Sequence, residues 1–465
     1  MIADVSDTAT LSDEAAPANA RAPLSLNTLL TWLLAHRLAL FAFGVPMVLR
    51  MWASDQGLVA RYQDSEGWLN PGPWLQNNRY GPVPFVLNLF EADAGRVLLQ
   101  TMIGACSWSV LALTLARRSR WPRTTVCGVL VVGLLPQVIR YDVAILSESL
   151  GISFAVLAVA ATVSVIDGTS PRGWLLWVGA VLLCGLTRPV HLVVVMVAAV
   201  VMAGVAVRTR TRVHLAVTGS LLIGLTFGLM FLHGNRTTAV VNISTVLSAD
   251  VLPFTDRYQW FVERGMPDVD GIATAHGHDD PALLPPELLE ELDLPVGQLP
   301  PQLLRVGGPE FRSWLRTDGQ GTYLRYLLLH PGDTLSRLGH LASPALSPPN
   351  DDFLPLTSYQ LLPRQLFSWW QLWTAVFVAG CARAALGGKR REALVLLAMG
   401  ATVAAVFSGS MLLSGLEHVR HGVTSSVLVR VLALVAVVLA VGRAPLEPAA
   451  TGALIEVPDE EPAAP

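Results

Sequence analysis

Four short stretches set ionisable side chains at the margins of long apolar runs. YQDSEGWL, with the NNRYGPVP that follows, supplies Asp64, Glu66 and Arg79, and Asp55 lies just ahead of it. RYDVAILSESLG brings Arg140, Asp142 and Glu148; LTRPVHL brings Arg188 and His191; LEHVRHG brings Glu417, His418, Arg420 and His421. Charge at the edge of lipid is costly, so such residues tend to face a hollow and to mark a substrate path. The residue types suit one kind of chemistry. A carboxylate can take the proton of an attacking hydroxyl, and guanidinium groups, with their rigid fork, can receive a phosphate that departs as a stable anion.

Taken singly, each residue has a plainer account. Asp64 fits a solvated loop carboxylate. Arg140 and Arg188 fit side chains reaching for headgroups at helix ends, and Glu148, behind Ser147, fits the positive N-terminal end of a helix. EHVRH holds two histidines and a glutamate, but in the reverse of the HExxH order that zinc hydrolases use. Only convergence of the four stretches on one side of a membrane favours a site.

A set of membrane helices must position them. Of 465 residues 52% are hydrophobic and 14% charged, with a mean hydropathy of +0.50, against about 25% charged in a soluble domain. Apolar runs near the roughly 20 residues a span requires fall at about 28–50, 95–116, 124–140, 146–166, 172–187, 190–207, 213–233, 366–386, 393–413 and 425–442. The expected fold class is an all-α polytopic membrane protein with about ten transmembrane helices. The short fifth run and the first, interrupted by His36 and Arg37, are its weakest members. Arg117, Arg118, Arg120 and Arg123 join spans two and three, Arg208, Arg210 and Arg212 join six and seven, and Arg383, Lys389, Arg390 and Arg391 join eight and nine. The positive-inside rule puts these joints and both termini in the cytoplasm, at a plasma (inner) membrane. All four stretches then face outward.

The expected organisation is a disordered cytoplasmic N-terminus at 1–23 and a membrane module at 24–233 with a first outer loop at 51–94. A long outer loop at 234–365, built as a cap of short helices, precedes three further spans at 366–442 and a disordered tail at 443–465. No cleaved signal peptide is read at the start.

Several function classes drop out. A net charge of −3 without a basic block gives no footprint for nucleic acid. Cys106, Cys127, Cys184 and Cys381 all lie in apolar runs, so neither a disulfide framework nor a CxxC knuckle is available. There is no GxxxxGK[ST], no GxSxG and no strand followed by GxGxxG. An enzyme working outside the cytoplasm without nucleotides needs an activated substrate delivered through the membrane, and a polyprenyl-phosphate sugar is one.

With these stretches in view, a resemblance can be named. DSEGWL followed by RYGPVP resembles the first-outer-loop pattern of GT-C membrane glycosyltransferases, particularly the protein O-mannosyltransferases and the lipid A aminoarabinose transferase. RYDVAILSESLG, TRPVHL and EHVRHG are similar, in order, to later motifs of those families, across roughly residues 28–233 and 366–442. Trp68 stands where tyrosine is usual, His421 follows Arg420 where tyrosine is usual, and the large C-terminal soluble domain of many members is missing. The resemblance implies that Asp64 is the catalytic base, with Glu66 beside it and Asp55 in reserve. It implies a donor-phosphate site of Arg420, supported by Arg79 and Arg188. Glu148 would orient sugar hydroxyls or hold an arginine, and Asp142, Arg140, Glu417, His418 and His421 would line the sugar and acceptor side. Implied partners are a polyprenyl-phosphate sugar donor, membrane lipid, and a glycan, lipid or protein acceptor. Asp64 and Glu66 have a DxE spacing that a magnesium or manganese ion could use; arginines make such a metal unnecessary, and none is assigned. A carrier or flippase of lipid-linked sugars, and a polysaccharide polymerase or ligase, remain the alternatives.

Overall fold

The computed structural model describes residues 26–55, 61–70, 81–166, 170–234, 242–248, 251–252, 254–268, 308–347, 362–413 and 418–442; the side chains of 26–35, 55, 63–64 and 231–234 fall outside that description. The disorder expected for 1–23 and 443–465 therefore lies outside the described residues. Among the described residues every regular element is helical.

The first half comprises α1 (Leu26–Asp55), α2 (Gln63–Leu69), α3 (Pro82–Leu87), α4 (Asp93–Ala116), α5 (Pro122–Gly133), α6 (Pro136–Ile139), α7 (Ser147–Val165), α8 (Pro171–Gly185), α9 (Leu192–Thr209) and α10 (Arg212–Gly234). The long loop carries α11 (242–248), α12 (Thr255–Val262), α13 (Gly308–Trp314), α14 (Gln320–Leu329), α15 (Pro331–Leu346) and α16 (Gln365–Ser368). α17 (Trp370–Leu386), α18 (Arg390–Leu412) and α19 (His418–Val441) complete the bundle. Among the described residues seven helices are long and apolar enough to cross a membrane, and α5 with α6 makes an eighth if that bent pair is one span. α8 and α17, of 15 and 17 residues, rise about 22 and 26 Å, short of a hydrocarbon core of about 30 Å. Large apolar side chains such as Leu176, Val200, Ile223, Met230 and Leu394 are exposed, as a surface solvated by lipid tails requires.

α4, α7 and α19 form the enclosed centre. Leu111, Leu150, Val156, Val431 and Val435 meet there without exposure. A second apolar cluster, with Trp177, Val195 and Leu221, binds α8, α9 and α10 together. The third apolar run, expected as one helix, is broken. Pro136 has no N–H to donate, and the residue before it is driven out of the helical region; Leu135 accordingly sits at φ −63° and ψ 141°, and the two halves meet at 56°. The break delivers Arg140–Val143 as a short 3-10 turn directly ahead of α7.

One end of the bundle carries α2, α3, the 140–147 turn and the long loop; the other carries the arginine-rich joints. At the arginine end two basic residues have local work. Lys389 donates to the Leu439 and Gly442 carbonyls at 2.9 and 2.8 Å, and Arg391 donates to the Ile166 carbonyl at 3.0 Å, each satisfying a helix C-terminus.

The described part of the long loop folds as short helices. Ile243, Leu247, Phe261, Phe311, Trp314 and Tyr326 build a small core of their own. These residues are up to 83 positions apart, so only the folded chain brings them together. Burial, then the hydrogen bond donated to Asp333 at 2.7 Å, raises the Tyr326 phenol above its ordinary range. Tyr323 ties this core to the bundle by donating to the Leu412 carbonyl at 2.8 Å, and Arg337 donates to the Met411 carbonyl at 3.2 Å.

α15 then descends beside α19 as far as the middle of that helix. There Arg430, fully buried, donates to the Leu346 carbonyl at 2.7 Å, to the Phe367 carbonyl, and to the Ser426 carbonyl at 2.6 Å, with its guanidinium 3.9 Å from the centre of the Phe367 ring. A charge this deep is tolerable because carbonyls at the ends of two helices surround it.

Candidate functional site

Glu148 is the second residue of α7 and has no exposed surface. Two arginines reach it from elements far apart in sequence. Arg420, in the first turn of α19, donates through Nε to Glu148 Oε1 at 2.5 Å, and Arg188, in the turn between α8 and α9, brings Nη2 to 3.6 Å of the same oxygen. Ser147 Oγ lies 3.3 Å from Glu148 Oε2. Both arginines are themselves more than nine-tenths buried. Removing three charges from water is expensive, and it is offset only by mutual attraction at close range. Among the described residues, two guanidinium groups thus converge on this one carboxylate.

Histidines complete the cluster. Arg188 Nη2 lies 2.5 Å from His421 Nδ1; arginine can only donate, so His421 accepts there and carries its proton on Nε2. Thr187 gives its one hydroxyl proton to the Cys184 carbonyl at 2.6 Å, so His191 Nδ1, 2.9 Å away, donates to Thr187. His191 Nδ1 thereby carries a proton, directed at Thr187. Gly151, one turn along α7 from Glu148, keeps the space open: a β-carbon there would stand 3.4 Å from His191 Cε1 and 3.7 Å from Thr424 Oγ1. Among the described residues Thr424 Oγ1 and Ser425 Oγ are buried without a hydrogen-bond partner. A polar tier thus lies beneath the ion cluster, walled by α7, α19 and the α8–α9 turn.

The first loop is pinned to the same place at two points. Ser65 Oγ accepts from the Tyr62 N–H at 2.8 Å and donates to the Ile145 carbonyl at 2.7 Å, which seats α2 on the turn three residues ahead of Glu148. Gly81, at φ +86° and ψ −159°, caps α3 and lies so close to the Leu186 carbonyl that no side chain fits. Leu186 is two residues from Arg188. Only glycine adopts this backbone readily, so Gly81→Val should cost about 1–3 kcal/mol from backbone strain alone, before the collision with Leu186. Thermal unfolding in detergent is the measurement, with a melting temperature clearly below wild type as the expected outcome.

The remaining expected residues are distributed differently. Asp142 does not join the Glu148 cluster. Its Oδ2 accepts from Arg50 Nη1 at 2.7 Å and its Oδ1 from Ser149 Oγ at 2.7 Å, while Arg50 Nη2 reaches the Gly133 carbonyl at 2.6 Å. Gln100 donates to the Asp142 and Ala144 carbonyls at 3.1 Å. This second buried pair braces the broken third span against α1 and α4. Gly104 faces Arg50 with no room for a β-carbon, because the guanidinium fills that space. Arg140 lies 5.4 Å from the centre of the Tyr141 ring. Glu66 pairs with Arg61 at 3.2 Å and accepts from Asn70 at 3.0 Å; Arg61 is also held by Asp93 at 2.6 Å, and Asp93 by Arg96 at 2.5 Å. Arg61 and Glu66 face solvent, whereas Arg96 is buried. His418 opens α19 two residues ahead of Arg420. Arg79 and Glu417 lie outside the described residues, and Asp55 and Asp64 are described as helical backbone only.

Arg50, Arg61, Asp93, Arg96 and Arg430 were not among the expected site residues. A signal existed for two of them: Arg50 closes an apolar run and Arg430 sits inside one, and an ionisable residue within a span is a candidate partner of another. Among the described residues no three His, Cys, Asp or Glu side chains gather as a cation site. What the cluster can do is hold an anion beside a neutral histidine. Searches against family models, curated proteins and solved structures find no match for this chain.

Proposed function

We propose that this protein is a GT-C-like membrane glycosyltransferase that moves a sugar from a polyprenyl-phosphate donor to an acceptor hydroxyl outside the cytoplasm. The observation that carries the reading is the meeting of Arg188 and Arg420, 232 positions apart, on the one buried carboxylate of Glu148. Such a group presents guanidinium donors held in fixed positions, which is what a departing phosphate requires. In this reading Glu148 is a positioning residue that holds the two arginines, and Arg420, Arg188 and Arg79 receive the phosphate. Asp64, on the helix that Ser65 fastens to the 144–147 turn, serves as base. The acceptor oxygen bonds to the anomeric carbon as the bond from that carbon to the phosphate oxygen breaks. The hydroxyl proton passes to the Asp64 carboxylate, the lipid phosphate leaves with the bonding electrons, and the configuration inverts. The loop end then faces the outside of the plasma membrane, both termini face the cytoplasm, and α8 and α17 complete a set of ten spans.

Arg430 bears on the choice between enzyme and carrier. A carrier needs charge available near mid-membrane, and the one arginine at that depth in α19 has both terminal nitrogens engaged by carbonyls. The deciding experiment supplies purified protein in vesicles with a panel of radiolabelled polyprenyl-phosphate sugars. Transfer to an acceptor, or slow hydrolysis with inversion, is expected for at least one donor; movement of intact lipid across the vesicle without either reaction would replace the enzyme with a carrier. Asp64→Ala should abolish transfer while expression and donor binding stay close to wild type. Near-normal turnover by that variant would remove Asp64 from the base role.

A further inference from the structure

The arginines of the end opposite the Glu148 cluster are scattered in sequence, in no block longer than two. Folding collects them. Gly442, at the end of α19, packs on the Arg118 carbonyl and accepts from Lys389 at 2.8 Å, so the α4–α5 and α17–α18 joints meet at one point. Around that point Arg117, Arg120, Arg123, Arg383 and Arg390 are exposed. Among the described residues none of these five has a carboxylate partner, whereas the neighbouring Lys389 and Arg391 are engaged by helix carbonyls. Trp121 stands beside them, 60% exposed, with the Arg120 guanidinium 5.7 Å from its ring centre.

We infer that this face binds the headgroups of anionic phospholipids. The location selects the occupant. Every one of these arginines begins, ends or joins a lipid-facing helix, so its guanidinium lies at the depth of headgroup phosphates, and an exposed tryptophan marks the same interface. Basic groups gathered between the ends of spanning helices suit a phosphodiester, to which arginine donates in a fork. No step of the proposed transfer enters this inference, and its outcome is independent of that reading.

The test uses the full chain in nanodiscs of phosphatidylcholine with a graded share of phosphatidylglycerol, followed by native mass spectrometry of the lipids retained on release into detergent. Phosphatidylglycerol should be retained over phosphatidylcholine, and the combined R117Q/R120Q/R123Q/R390Q variant should weaken that retention by about ten-fold or more, as should about 0.5 M salt. The melting temperature of the variant should match wild type, which separates lost lipid binding from lost fold. Equal retention of both lipids, or unchanged retention by the variant, would overturn the inference. So would phosphatidylglycerol retention that appears only after residues 443–465 are deleted, because the acidic Glu447, Glu456, Asp459, Glu460 and Glu461 of the chain itself would then be the occupant.

Discussion

Replacing Glu148 with alanine is expected to destabilise the bundle by about 3–5 kcal/mol, the usual cost of leaving a buried charge without its counter-ion. Here two guanidinium groups would lose the same carboxylate at once, both more than nine-tenths buried, with Arg188 losing its contact at 3.6 Å and Arg420 its bond at 2.5 Å. Glu148→Gln keeps an acceptor oxygen for Arg420 but not the charge, and should lose less. Thermal unfolding of both variants in one detergent checks the order: wild type highest, glutamine between, alanine lowest. A melting temperature for the alanine variant equal to wild type would mean that water reaches both arginines in the folded protein, and the carboxylate would no longer be what gathers them. If the alanine variant fails to accumulate, the glutamine variant still answers the question.

Arg420→Ala is expected to lower transfer by about 100- to 1,000-fold, the loss that follows removal of one well-aimed donor from a developing anion. Arg420→Lys should recover little of it, because an ammonium group cannot present the planar fork. The kinetic split matters more than the size. An interaction made chiefly as the phosphate departs should appear in kcat, with KM for the donor changing less. A lysine variant with wild-type kcat would reduce Arg420 to a bulk charge, and a loss confined to KM would make it a binding group for the ground state. Arg188→Ala is the companion measurement, since Arg188 shares the carboxylate and also holds His421.

Much of this arrangement is legible in the sequence, for physical reasons. Long apolar runs must be helices in lipid, and charged residues at their margins must find one another or water. That logic leads from LSESLG, LTRPVH and HVRHG to Glu148, Arg188 and Arg420, three groups whose contact is a fact of the fold. It does not reach Arg50, the partner of Asp142, which lies 92 positions away at the end of an apolar run. The break in the third run is harder to see: Pro136 lies within an apolar stretch of suitable length, and only its missing N–H betrays it. The small core of the long loop escapes a linear reading because Phe261, Phe311 and Tyr326 have no common period. α8 and α17 count as spans by composition, but their helices stop short of the length that composition alone would grant.

Arg430 has a consequence for how the chain assembles. Its carbonyl partners at Leu346 and Phe367 are made before α19, so the last helix arrives at a receptacle already synthesised. Until it docks, a guanidinium in the middle of an inserting helix costs about 2.5–3.5 kcal/mol. Insertion of α19 is therefore coupled to correct placement of the turn that precedes it. A chain whose 331–368 segment had gone astray would find its closing helix reluctant to enter, which makes this arginine a checkpoint on assembly rather than an ornament of the finished molecule.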